Sequence, residues 1–240
     1  MRIALIGYGK MGQLIDKIAT EQGHEIVYKI DSHNAQLTDE LNDVDVAIEF
    51  TSPETAVSNY KKLLRQNIPV VTGTTGWMDD FDSVKNLVEE SRGKFFYASN
   101  CSIGVHLTIA TSNYLAKLIQ NFPEYGARIF EWHHAAKADS PSGTAITIGR
   151  SIINNHNGYS RLVYEPADLE HDDLPIYAYR EGNIPGTHQI QYDSEIDSII
   201  LRHKAKSRQG FALGAITAAE FLIKQNPGSY TMNDLIKLPL

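Results

Sequence analysis

The chain has 240 residues, 42% hydrophobic and 21% charged, with a formal net charge of −7 and a pI near 5.7. This composition fits an ordinary globular protein of one or two domains and excludes a nucleic-acid binder that works through a general basic field. The lone cysteine, Cys101, excludes an intrachain disulfide, and no run approaches the roughly 18 apolar residues of a membrane helix, so a cytoplasmic location without membrane or nucleic-acid partners is expected.

Residues 3–6 read as a buried strand. Residues 10–22 carry Met11, Leu14, Ile15 and Ile18 at helical spacing, with Gly23 as a stop signal. Strands follow at 25–30 and 44–50, a helix at 53–66, a strand at 68–71, a helix at 80–91 and a strand at 94–98. This alternation predicts a Rossmann-like, doubly wound parallel sheet over residues 1–103, in the α/β class. The pattern then changes. A strand at 127–132 and a helix at 142–155 precede strands at 176–180, 187–192 and 195–203, the last two joined by a turn near Asp193-Ser194. Residues 104–207 therefore read as a smaller α+β domain with a mostly antiparallel sheet, whose open face a second subunit could cover. A helix at 211–224 suggests that residues 208–240 return to the first domain.

Gly7-Tyr8-Gly9-Lys10-Met11-Gly12 is a GxGxxG turn that follows the first strand and opens the first helix. Glycines there allow a tight turn and close backbone approach to a pyrophosphate, and the helix start adds partial positive charge. Asp31 lies about twenty residues on, where an acid accepts from a ribose 2′-hydroxyl. It would also repel a 2′-phosphate. Ser32 and His33 supply no arginine to compensate, and Lys10 does so only in part, so the sequence favours NADH and leaves NADPH possible. Thr51-Ser52, Gly73-Thr74-Thr75-Gly76 and Ala98-Ser99-Asn100-Cys101-Ser102 follow strands three, four and five. Each alone reads as an ordinary turn; together they line one crevice.

The segment Glu131 to Thr144 carries the rest of the chemistry. His133, His134 and Lys137 make a local cationic patch on an acidic protein, and Ser142-Gly143-Thr144 opens a helix whose N-terminus adds backbone donors. The set suits a small polycarboxylate, although Ser142 reads equally as a simple N-cap. No standard metal-ligand spacing is present, and no metal is expected.

These residues resemble a family signature. Glu131, His133, His134, Lys137, Asp139, Pro141, Ser142, Gly143, Thr144 and Ala145 match the E-x-H-H-x-x-K-x-D-x-P-S-G-T-A pattern of the 4-hydroxy-tetrahydrodipicolinate (dihydrodipicolinate) reductases. Arg180, Gly182, Gly186 and His188 resemble a second motif of that family, and His203, Ser207, Arg208, Phe211 and Gly214 a third, so the resemblance spans the chain. It implies a homotetrameric NAD(P)H-dependent oxidoreductase of lysine biosynthesis, acting on a cyclic dicarboxylate. It implies His133 as proton donor and acceptor, Lys137 as its partner, and His134, Gly143 and Thr144 as substrate contacts. Gly73 to Thr75 and Ala98 to Cys101 would contact the dinucleotide, with Arg208 and Phe211 near it. Two features depart from the family pattern: the glycine turn is one residue shorter than the usual GxxGxMG form, and the acid-then-arginine pair after strand two is missing. The competing readings are another two-domain Rossmann dehydrogenase and a non-catalytic dinucleotide sensor, neither of which has a use for the His-His-Lys segment.

Overall fold

The computed structural model describes residues 1–31, 40–166 and 168–237; Ser32 and His33 fall outside the described residues. In chain order the elements are β1 (Arg2–Ile6), α1 (Lys10–Glu21), β2 (Glu25–Ile30), β3 (Val46–Glu49), α2 (Pro53–Arg65), β4 (Val70–Thr72), α3 (Phe81–Glu90) and β5 (Lys94–Tyr97). They continue with α4 (Ile103–Ile119), β6 (Gly126–His133), α5 (Gly143–Ile153), β7 (Arg161–Tyr164), β8 (Asp173–Arg180), β9 (Thr187–Asp193) and β10 (Ser198–Lys204). The chain ends with α6 (Gln209–Leu222), β11 (Gly228–Tyr230) and α7 (Met232–Ile236). Two compact units result, one from Met1–Ile103 with Gln209–Leu240 and one from Gly104–Arg208.

The first unit is built on a parallel sheet of order β11-β5-β4-β3-β1-β2. Strand alternation gives it two buried faces. Ile3, Leu5, Val46, Ile48, Val71 and Phe96 pack with Ile15 and Ala19 of α1 and Ala212, Ala215, Ile216 and Ala219 of α6. Ala4, Ile6, Ala47, Val70 and Phe95 pack on the other face with Tyr60, Leu63 and Leu64 of α2 and Val84 and Val88 of α3. Continuous apolar strands such as Ile3-Ala4-Leu5-Ile6 are what such a two-sided burial demands. Neighbours β2 and β3 lie on opposite sides of β1, so the strand order reverses there, and the carboxyl ends of β1 and β3 flank the point where such sheets take ligands.

The second unit holds a sheet of order β10-β9-β6-β8-β7. It is mixed rather than mostly antiparallel: β10/β9 and β9/β6 run antiparallel, but β6/β8 and β8/β7 run parallel. Helix α5 carries the chain back along the sheet between β6 and β7, so that β7 starts from the same end as β6; β8, which pairs parallel with both, starts from that end too. One face packs Ile129, Leu174, Ile176, Ile190 and Tyr192 against Ala116 and Ile119 of α4 and Ala145, Ile148 and Ile152 of α5. Strand β10 begins at Ser198, later than the sequence pattern suggests, because Ser194 N–H donates to Asp197 O at 3.0 Å and closes a four-residue turn. Among the described residues no helix is long and apolar enough to cross a membrane.

Candidate active site

In the first unit the glycine turn joins β1 to α1. A Cβ on Gly7 would lie 1.9 Å from Phe50 O, and φ there is +95°; a Cβ on Gly12 would lie 2.2 Å from Gly7 O. The fold itself requires both glycines. Gly9 differs: among the described residues nothing lies within 4 Å of its Cβ position, so its bareness leaves open space at the helix start. Among the described residues no side chain caps α1, and its first turn has no acid. An uncapped helix start beside a bare glycine is a cradle that fits a pyrophosphate. Lys10 is exposed and Met11 half-buried at this turn. Tyr8 folds back, its hydroxyl donating to Asp16, which also pairs with Lys29 at 2.7 Å. Asp31 directly follows β2.

At the other loops of the sheet's carboxyl edge, the hydroxyls of Thr51 and Thr74 donate inward to Glu49, Thr51 itself being exposed and Thr74 buried. Thr75 and Ser99 are exposed, Gly73, Ala98 and Asn100 half-buried. Cys101 is a core residue at 2% exposure, and burial pushes its thiol up to about 12. The Cβ position of Gly214 in α6 falls 1.7 Å from Cys101 O. Phe211, also on α6, is half-buried; Arg208, the last residue of the second unit, is exposed.

In the second unit β6 supplies the centre. Glu131 and His133 are two apart on a strand and so share a face. Glu131 is completely buried. It accepts from Ser142 N–H at 2.9 Å, from the Ser142 hydroxyl, and from Arg180 Nη2 at 2.8 Å. His133 Nδ1 and His188 Nε2 approach its Oε2 at 3.4 and 3.6 Å. The strand register explains the meeting: His188 of β9 sits opposite Glu131, and Arg180 of β8 opposite His133. Burial opposes the charge of Glu131, but hydrogen bonds from His188, Ser142 and Arg180 outweigh it and hold its carboxyl far below the usual carboxylate range. His133 is pushed down to about 4, by burial first, with the Glu131 charge opposing and His188, Lys137 and Arg180 adding to the fall. It is therefore a neutral imidazole near pH 7. A Cβ on Gly186 would lie 3.2 Å from His133 Nε2, so the loop before β9 runs close to that nitrogen.

Lys137 and His134 lie on the turn that follows β6. Lys137 does not stand among cations alone: its Nζ contacts Asp139 at 2.6 and 2.8 Å, which holds the Asp139 carboxyl below its usual range. Arg180 also donates to Asp139 O at 2.6 Å. Ser142 is buried and caps α5, accepting from Ala145 N–H at 3.2 Å, so its hydroxyl is fully engaged inside the protein. Gly143 is exposed, with nothing among the described residues within 4 Å of its Cβ position, and Thr144 is half-buried beside it. Glu131, His133 and His188 each place one potential metal-ligand atom within 4.8 Å of the others. The Arg180 guanidinium already supplies a cation to this carboxylate, which suits a hydrogen-bonded hub. Arg180 and His188 stand in the sequence motifs without a role; only the strand register brings them here. Glu131 carried a signal, its two-residue spacing from His133.

Residues 1–101 match the family model for the N-terminus of dihydrodipicolinate reductase, and residues 104–236 match that for its C-terminus. The chain belongs to the dihydrodipicolinate reductase family. Among relatives, a protein of Christiangramia forsetii named 4-hydroxy-tetrahydrodipicolinate reductase is 44% identical over 98% of each chain. One of the same name from Staphylococcus epidermidis is 35% identical, covering 98% of this chain and all of that one. Among solved structures, a dipicolinate-bound dihydrodipicolinate reductase from Paenisporosarcina sp. superposes with a TM-score of 0.76 at 24% identity, over 96% of this chain and 97% of that one. It shares the fold.

Proposed function

We infer that this chain is an NAD(P)H-dependent 4-hydroxy-tetrahydrodipicolinate reductase of the diaminopimelate route to lysine, yielding tetrahydrodipicolinate. The observation that carries this reading is the family match over both halves of the chain. The site chemistry supports it. The substrate is a cyclic, conjugated imine with two carboxylates, and its reduction needs a hydride, an anion site and a proton. Bound NAD(P)H supplies the hydride. The bare Gly9 at an uncapped helix start supports pyrophosphate binding there, with Asp31 on the ribose favouring NADH over NADPH. Gly73, Thr74, Thr75, Ala98, Ser99 and Asn100 border the same sheet edge.

The start of α5, with bare Gly143 and Thr144, receives the carboxylates together with His134. Ser142 serves that role through Glu131 and the cap. His133 and Lys137 deliver the proton, a service that contributes about 10²–10⁴-fold. Neutral His133 must first gain a proton, and an arriving dicarboxylate favours that electrostatically. Residues 1–103 with 208–240 act as the dinucleotide domain and 104–207 as the substrate and oligomerisation domain. The outer face of the second sheet stacks Phe130, Trp132, Tyr177 and Tyr179 and exposes Ile200, an apolar surface suited to a homotetramer in the cytoplasm.

The test is a coupled assay. The substrate is generated from pyruvate and aspartate semialdehyde by the preceding synthase, and nicotinamide absorbance is followed with NADH and NADPH in parallel. Substrate-dependent oxidation is expected, faster with NADH at low concentration. Failure of both cofactors would overturn the assignment.

A further inference from the structure

Glu49, at the end of β3, is completely buried, and the groups that donate to its carboxylate are hydroxyls. Thr51 donates to Oε1, while Thr72 and Thr74 donate to Oε2 at 2.6 and 2.9 Å. A second layer ties these threonines together. Thr51 N–H donates to Thr74 Oγ1 at 2.9 Å, Thr74 N–H donates to Thr72 Oγ1 at 3.1 Å, and Tyr60 OH meets Thr72 Oγ1 at 2.9 Å. Trp77 Nε1 closes the loop on Thr74 O at 3.0 Å. The next residue, Phe50, fits two more turns by shape: a Cβ on Gly73 would lie 2.1 Å from its ring, and one on Gly7 1.9 Å from its carbonyl oxygen.

Burying an acid without a cation is costly, and an apolar residue would serve packing better. What a carboxylate offers is acceptor-only character. It obliges three hydroxyls to donate inward and fixes each rotor, through hydrogen bonds stronger than neutral ones. The turn after β3 and the loop after β4 are thereby joined at the carboxyl edge of the sheet, beside the glycine turn.

We propose that Glu49 is a positioning residue for the dinucleotide: its carboxylate holds the Thr51 turn and the Gly73–Thr75 loop in the shape that receives the cofactor. The inference rests on the reading that these loops meet the dinucleotide. Thr51 and Thr74 then act through their inward hydroxyls, and the rim offers backbone and Thr75.

The test measures NADH affinity by nicotinamide fluorescence on the full chain, beside melting temperature, kcat and KM for NADH. Glu49→Gln is expected to raise Kd and KM for NADH about tenfold or more, the scale of a lost charge-assisted hydrogen bond, with kcat at saturation within about threefold. Thr74→Val should weaken NADH binding in the same way, and Thr74→Ser, which keeps the hydroxyl, should restore it. A folded Glu49→Gln with NADH affinity within about twofold of wild type would overturn the proposal. So would a Thr74→Ser variant as weak as Thr74→Val, the pair that decides if Glu49→Gln does not fold. Gly9→Val separates the two levels. If it leaves NADH binding intact, the dinucleotide site itself is misassigned; if it abolishes binding while Glu49→Gln does not, the positioning role alone fails.

Discussion

Binding of a dicarboxylate should draw a proton onto His133. In the free protein burial pushes this imidazole down to about 4, so at pH 6 about 1% of it is protonated. A ligand carboxylate at about 5 Å, in an effective dielectric of about 20, attracts the imidazolium by roughly 3 kcal/mol. That is on the order of a hundredfold in proton affinity. His133 in the complex would then be about half protonated at pH 6, giving an uptake of about 0.5 proton per site. The experiment is calorimetric titration of pyridine-2,6-dicarboxylate into the NADH-loaded protein at pH 6, in buffers of different ionisation enthalpy. The slope of apparent enthalpy against ionisation enthalpy gives the proton count. His133→Gln should abolish it. An uptake near zero in the wild type, or one that persists in His133→Gln, would refute the reasoning; the second result would move the proton to His134 or His188.

Other perturbations test separate parts of the site. Lys137→Ala should lower kcat by about 10²–10⁴-fold while leaving NADH affinity unchanged in direct titration. Glu131→Ala removes the carboxylate from the Arg180 guanidinium and the acceptor from the Ser142 N–H, and should cost the second unit about 3–5 kcal/mol, read as a lower urea midpoint; a loss below about 1 kcal/mol would contradict the hub. Gly7→Ala, with a Cβ 1.9 Å from Phe50 O, should lower the melting temperature and NADH affinity together. Gly143→Ala, with nothing within 4 Å, should leave the melting temperature alone and weaken only dicarboxylate binding.

What could be read from the sequence follows from how local each feature is. The glycine turn and the buried strands around it are encoded within a few residues, and the parallel sheet formed as the alternation implied. Helix α4 left no such trace: Ile103, Val105, Leu107, Ile109, Leu115, Leu118 and Ile119 are spread around it, so it lacks the one-sided period that marks a helix. Strand β7 went unread as well, and with it the parallel half of the second sheet. His133 and Lys137 could be picked out by chemistry, but His188 and Arg180 reach Glu131 only through the register of β6 with β9 and β8. Thr51 and Thr74 were visible as residues near a crevice; the direction of their hydroxyls was not, because it is set by Glu49 across two strands.

Strand β6 is paired along both edges, with β8 on one side and β9 on the other. Its amides point alternately into the two ladders, and both ladders span Ile129–Trp132, so residues 129–132 should exchange hydrogen only when β6 parts from a neighbour in the middle of the sheet. The turn that bears Lys137 lies outside these ladders and is tied by Ala135 N–H to Gly182 O at 3.1 Å and by Arg180 to Asp139 O at 2.6 Å. His133 and Lys137 should therefore move on different timescales: the backbone under His133 opens with its strand, while the Lys137 ammonium should exchange its Asp139 partner far faster.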